Sequence, residues 1–109
     1  MGDLEEDHAA EIVIDTRIDA AGVPIVSVSG ELDSSNAASL EATVASIAAE
    51  HTERLVFDFS GLQFMDSAGI AVLVGVAAKV KAVQLREPSQ AVRRVIELTG
   101  LSGVLPIEP

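Results

Sequence analysis

The sequence predicts an α/β fold in which one small mixed β-sheet of 4-5 strands is packed with about 3-4 helices. Three observations predict it. Apolar residues fill 49% of 109 positions, enough for a core at a length that fits one domain. Runs with strand-like alternation or β-branched residues are interleaved with runs of helical period. Gly, Ser, Asp and Pro punctuate the boundaries. The order reads β-β-α-β-α-β-α with a short terminal strand, so the strands after the first hairpin should be parallel, with right-handed crossovers.

Residues 1–10 are rich in Asp and Glu and have no apolar stretch. They read as an acidic flexible tail, not a signal peptide, leaving residues 11–109 as the domain. Residues 11–19 carry β-branched side chains in partial alternation and form the first strand. A turn at Ala20-Ala21-Gly22 leads to a second strand over 23–29, paired antiparallel. Residues 30–36 are a loop in which Asp33, Ser34 and Ser35 can cap a helix over 37–50. That helix buries Leu40, Val44 and Ile47, with Ala37 and Ala48 on the same face. Residues 54–59 form a central parallel strand, apolar on both faces. Residues 60–66 are a loop, and Ser67 caps a second helix over 68–80 with Ile70, Leu73, Val74 and Ala77 inward. A fourth strand follows over 82–86. Ser89 caps a third helix, with Val92, Val95 and Ile96 inward and Arg93, Arg94 and Glu97 outward. Gly100 ends that helix in the left-handed region, with Leu101 as its apolar contact. Residues 104–107 suit an edge strand that tolerates Pro106.

Composition excludes several functions. Seven basic and seventeen acidic residues give a formal net charge of −10, so phosphate backbones and anionic lipid are poor partners. Three Phe are the only aromatics, too few for a base-stacking platform. No Cys is present, which removes disulfides and thiolate chemistry and fits a reducing compartment. The most apolar run, 68–78, is too short to span a bilayer. The expectation is a cytoplasmic domain with no nucleic-acid or membrane partner.

The informative stretch is LVFDFSGLQFMDSAGIAVL, residues 55–73. It reads as strand, loop and helix start, and such loops at the carboxyl ends of parallel strands are where α/β folds hold their sites. Ser67 stands at the first turn of the second helix, and Gly69 leaves room for a partner backbone. Phe64 and Met65 either anchor the loop in the core or offer an apolar contact. A plainer role for Ser67 is helix capping, with Asp66 a favourable charge at the dipole. As the cap, its loss would cost about 1 kcal/mol.

The run DFSGLQFMDSAGI resembles the signature of the STAS domain in its single-domain bacterial form, the anti-sigma factor antagonist. Gly30-Glu31-Leu32-Asp33 resembles that family's G-x-L-D segment. Glu87-Pro88-Ser89 and the following Val92-to-Leu101 run resemble its last helix and turn. The likeness spans residues 12–107. It implies a switch: the unmodified protein binds an anti-sigma factor with serine kinase activity and so frees a sigma factor. Phosphorylation of Ser67 releases it, and a PP2C-type phosphatase restores it. The partner-binding residues implied are Asp33, Ser34, Phe64, Met65, Asp66, Ser67, Ala68 and Gly69, and Asp33 matches a position linked to the kinase–nucleotide contact. No catalytic residue, metal or cofactor is implied. Relatives often carry a second hydroxyl residue where Ala68 stands, so Ser67 is the sole acceptor within D-S-A-G. The segment 69–85 is shorter than in relatives, which leaves the turn to Lys79-Val80-Lys81.

Other classes fit less well. A receiver domain would use Asp58 but needs an acidic pair after the first strand, where only Asp19 stands. An enzyme lacks a nucleophile elbow, P-loop or dinucleotide fingerprint. The two histidines, His8 and His51, lie in the tail and at a helix end and have no ligand spacing. A nucleotide-binding STAS module would want a glycine-rich phosphate cradle. A scaffold subunit of a larger signalling assembly would usually carry a sensor region. A switch that presents one face to its partner suits a monomer.

Overall fold

The computed structural model describes residues 11–51 and 53–108; the tail expected over residues 1–10, with His8, lies outside them. Strand β1 (Ile12–Ile18) pairs antiparallel with strand β2 (Pro24–Leu32) in an unbroken register from Ile12↔Gly30 to Ile18↔Pro24. Asp19 builds the turn between them. Its carboxylate accepts from the N–H groups of Ala21 (2.8 Å) and Val23 (2.9 Å), and Gly22 takes φ 83°, the left-handed conformation that glycine adopts without a Cβ penalty.

Strand β3 (Arg54–Asp58) lies parallel to β2, and strand β5 (Ala82–Arg86) lies parallel to β3. The central strand is buried on both faces, as its apolar run predicts. Leu55 and Phe57 join Val26, Val28, Val83 and Leu85 in the main core, into which all three helices place side chains. Val56 points the other way and forms a small second cluster with Val23 and Ile25.

Three expectations about strands are corrected. The second strand runs three residues beyond 29, because it acquires a new partner. That partner is strand β4 (Leu62–Met65), within the segment expected to be a loop, and it pairs parallel with the far half of β2. The register shifts between Gly30 and Glu31. There Gly30 N–H donates to the Gly61 carbonyl (3.0 Å), while Glu31 N–H donates to the Glu11 carbonyl on the opposite side (3.2 Å). Such a bulge redirects successive amides to different neighbours. The five strands run β1-β2-β3-β5, with β4 against the far end of β2. The expected edge strand over 104–107 reduces to one bridge, Leu85↔Ile107. A tight turn precedes it, in which Val104 and Leu105 both donate to the Leu101 carbonyl.

Helix α1 (Ala37–Ala48) ends two residues before the expected 50; it buries Ala37, Leu40, Val44 and Ala48 as its spacing predicts, whereas Ile47 is only half-buried. Helix α2 (Ser67–Ala77) is shorter than the 68–80 expected and buries Gly69, Val72, Leu73 and Val76. Of the expected inward set only Leu73 is fully buried, and Val74 is 40% exposed. Apolar residues surround this helix, so spacing does not select a face; the fit of Gly69 does. The chain then turns through Lys79-Val80-Lys81, anchored by buried Val80. Helix α3 (Gln90–Leu98) begins at Ser89, whose hydroxyl accepts from Val92 N–H (3.2 Å). Val92 and Ile96 are buried, Val95 partly, and Arg93, Arg94 and Glu97 face solvent. Gly100 (φ 73°) donates to the Glu97 carbonyl and Leu101 to the Ile96 carbonyl, the paired bonds of a Schellman end.

Candidate functional site

The bulge in β2 brings two loops together. It lets Leu32 stand beside Met65, and Asp66 N–H then donates to the Leu32 carbonyl (3.1 Å). The segment that follows β2, residues 33–36, therefore emerges next to the one that follows β4, Asp66 and Ser67. Both lie at strand carboxyl ends, where α/β sheets place their sites.

In the first loop, Asn36 is a buried brace. Its Oδ1 accepts from Asp33 N–H (3.0 Å) and its Nδ2 donates to the Glu31 carbonyl (2.8 Å). The Asp33 carboxylate accepts from the Ser35 hydroxyl (2.6 Å) and the Ser35 N–H (2.8 Å). These two bonds, the hydroxyl first, hold the Asp33 carboxyl below its ordinary value of 3.8, because they favour the charged form. The expected capping of α1 by Asp33, Ser34 or Ser35 is not what occurs. Asn36 occupies the cap position but makes no side-chain cap hydrogen bond, and Ala37 N–H donates to the Asp33 carbonyl (2.9 Å). The side chains are engaged within the loop instead.

In the second loop the roles of neighbouring residues exchange. Asp66, with extended backbone at φ −107°, ψ −168°, is the N-cap, and its carboxylate accepts from Ala68 N–H (2.9 Å). Ser67, expected to cap, is already the first helical residue, and its side chain is exposed. A cap residue needs non-helical backbone, which Asp66 has. The Ser67 hydroxyl is thereby relieved of a structural role and presented to solvent.

Gly69 also differs from its expected role. A Cβ there would lie 2.6 Å from Met65 Cγ and 2.8 Å from Leu32 Cδ2. The glycine admits the chain's own core side chains, not a partner backbone. Met65 is buried and Phe64, its neighbour on the opposite face of β4, is 47% exposed. The sequence-derived set thus divides: Ser34, Phe64 and Ser67 are exposed, Asp33, Asp66 and Ala68 are half-buried, and Met65 and Gly69 are buried beneath them. Two residues escaped the sequence reading. Asn36 showed only as one more polar residue before a helix. Glu31, exposed opposite Phe64, depends on a pairing that no local pattern announces.

Asp58, the alternative phosphoacceptor, accepts from Ser60 N–H (3.0 Å), a loop-stabilising bond. His51 N–H closes the end of α1 on the Ile47 carbonyl (2.9 Å). Clefts of about 260 and 350 Å³ share Pro24, Glu50 and His51 and touch neither Asp33 nor Ser67. Among the described residues no group of three or more His, Cys, Asp or Glu could hold a metal ion, and no helix is long and apolar enough to cross a membrane.

Comparisons with known proteins agree with this geometry. The chain is 31% identical over 96 residues to the anti-sigma-F factor antagonist RsfB of Mycobacterium tuberculosis, covering 85% of this chain and 79% of RsfB. It is 33% identical over 92 residues to the anti-sigma F factor antagonist of Paenibacillus polymyxa, covering 79% and 78%. The crystal structure of an anti-sigma factor antagonist from Mycobacterium paratuberculosis superposes with a TM-score of 0.83 at 33% identity, over 91% of this chain and 86% of that one. The STAS domain family model matches residues 11–109, so with sheet, bulge and paired loops in place, the chain belongs to the STAS domain family.

Proposed function

We propose that this protein is an anti-sigma factor antagonist, a binding switch whose exposed Ser67 is phosphorylated by a kinase-type anti-sigma factor. The observation that carries the reading is the position of Ser67: first residue of α2, exposed, and spared from capping by Asp66. The names of the relatives support the same activity. The docking surface combines Ser67, Asp66, Ala68 and exposed Phe64 with Asp33 and Ser34 of the adjoining loop; Met65 and Gly69 act beneath it as supports.

The switch follows from charge. The Ser67 hydroxyl oxygen attacks the terminal phosphorus of the kinase-bound nucleotide. An O–P bond forms, the nucleoside diphosphate leaves and the hydroxyl proton is lost. The product adds about −1.5 to −2 charges at a helix N-terminus, where free N–H groups tolerate a phosphate, so the fold survives. The added charge stands beside Asp66 and near the ionised Asp33. Desolvating three clustered anions against a packed partner is costly, and about 3 kcal/mol lowers affinity more than a hundredfold. A PP2C-type phosphatase reverses the step by hydrolysis. Such a protein works in the cytoplasm, where sigma factors act.

The test is binding to candidate kinase-type anti-sigma factors with ATP, the phosphate being mapped by mass spectrometry. Wild type and Ser67→Ala should bind, and Ser67→Glu should bind at least tenfold more weakly. Ser67→Ala should resist release by ATP. Because Ser67 is not the cap, that variant should lie within about 0.5 kcal/mol of wild type in stability. Equal binding by Ser67→Glu, or phosphate on another residue, would refute the switch.

A further inference from the structure

Among the described residues the sheet closes one edge and leaves another open. Along β5, residues 106–108 cover the outer side: Leu85 N–H donates to the Pro106 carbonyl (2.9 Å), and the Leu85 carbonyl accepts from Glu108 N–H (2.8 Å). Strand β4 is packed by α3. Strand β1 pairs only with β2 among the described residues. The Glu11 carbonyl and Asp19 N–H bond to the β2 side. By the alternation of an antiparallel ladder, Ile12, Ile14, Thr16 and Ile18 turn their N–H and C=O groups outward. Natural edges are usually blunted by charged side chains, Pro or a bulge. β1 has no Pro and keeps an unbroken register; its two charges, Asp15 and Arg17, are of opposite sign, and its Val13 and Ile18 are 62% and 55% exposed.

We propose that this edge pairs with the same edge of a second copy, antiparallel, about a two-fold axis through Thr16. A two-fold axis normal to the sheet keeps each residue on its own face, so only partners separated by an even number of positions can meet. About Thr16, Ile14 meets Ile18 in two hydrogen-bonded pairs and Thr16 meets its copy. Asp15 meets Arg17 twice in the non-hydrogen-bonded pairs, where side chains approach most closely. The neighbouring registers are poorer. About Asp15, that carboxylate faces itself; about Ile14, exposed Ile18 is carried past the end of the partner strand. The strand is thus self-complementary in both charge and apolar pattern. β2 separates β1 from β4, so the paired molecule keeps both Ser67 loops outside the interface. The monomer that the sequence suits is then the dilute state of a self-associating chain.

Analytical ultracentrifugation of the full chain tests this at about 0.15 M salt, where repulsion between two chains of net charge −10 is screened beyond roughly 8 Å. Across concentrations up to about 1 mM, the range of small interfaces, the mass should rise from 11.3 kDa toward twice that value. Arg17→Asp alone and Asp15→Arg alone should each weaken association about tenfold or more. An equimolar mixture of the two variants should associate again, because each cross-pair then unites opposite charges. Circular dichroism controls for folding, which these exposed positions should not disturb. A monomer at every concentration would overturn the proposal and leave the edge to an extended segment of another protein. Unchanged association in the single variants, or no recovery in the mixture, would overturn it equally.

Discussion

At Ser67 and its neighbours, adjacent residues take different structural positions that their types alone would let them share. Asp66 and Ser67 are both good caps, and backbone conformation, not side-chain type, decides between them. Gly69 is the residue on which this geometry rests, since any Cβ would press on Met65 and Leu32. Gly69→Ala should therefore destabilise the protein by about 1–2 kcal/mol through overpacking, despite alanine's better helix propensity. Urea unfolding followed by circular dichroism measures it, and a stabilised variant would show that α2 can shift freely. Asp33 gives a second prediction. Its depressed pKa means that its contribution to stability is present above the ordinary value of 3.8 and is lost as pH falls through the lower folded value. Removing the Ser35 hydroxyl with Ser35→Ala should raise the Asp33 pKa toward the ordinary value, as read from carboxyl-carbon NMR shifts against pH. The D-S-A-G motif singles out Ser67 in the sequence, and the structure places it exposed at the first turn of α2. The exchange of capping roles and the inward use of Gly69 were not legible, because both depend on where β4 lies.

The elements most visible in the sequence are those whose signals are local. Ser89, the apolar stripe of α3 and Gly100 form a complete start-to-stop grammar, and the helix follows it closely. β4 illustrates the opposite case. It has four residues, two of them exposed, and it is a strand only because β2 bulges to receive it. The bulge depends on Gly30, whose φ of 105° is hostile to side chains and whose Cβ would fall on the Glu11 carbonyl oxygen. Gly30→Ala should cost about 2–3 kcal/mol, the upper range for backbone strain at one residue. Its effect should also be local to function: hydrogen exchange should rise at β4 and at Asp66 N–H, which bonds to Leu32 across the same junction. If exchange rises uniformly instead, the bulge is merely a packing feature and not what joins the two loops. The face of α2 was illegible for a related reason, since a helix apolar on nearly every side carries no rotational signal.

For the whole molecule, charge is the dominant property, and it is fully legible in the sequence. Seventeen acidic residues face seven basic ones. The described ion pairs relieve little of this excess. Lys81–Glu53 (3.2 Å) joins side chains that are each 74% exposed, and Arg86–Glu108 (2.8 Å) ties the chain end to β5. Exposed pairs contribute about 0–1 kcal/mol, whereas surplus carboxylates repel one another over the whole surface and oppose the compact state. Salt weakens both effects, but the repulsion involves more charges over longer distances and loses more. Raising NaCl from about 0.01 M to 1 M shortens the screening length from about 30 to 3 Å. Stability should therefore increase by about 1 kcal/mol, equivalent to about 4 °C or more in Tm for a domain of this size. Thermal unfolding at pH 7 by circular dichroism measures the change, which is a suitable probe for a chain with no Trp or Tyr. A fall in Tm would mean that specific ion pairs outweigh the general repulsion. The sign matters for the switch as well. In the proposed switch, a fold already opposed by like charge would receive the phosphate at Ser67 where a helix N-terminus offsets it locally, while a docked partner surface would offer the added charge no such relief.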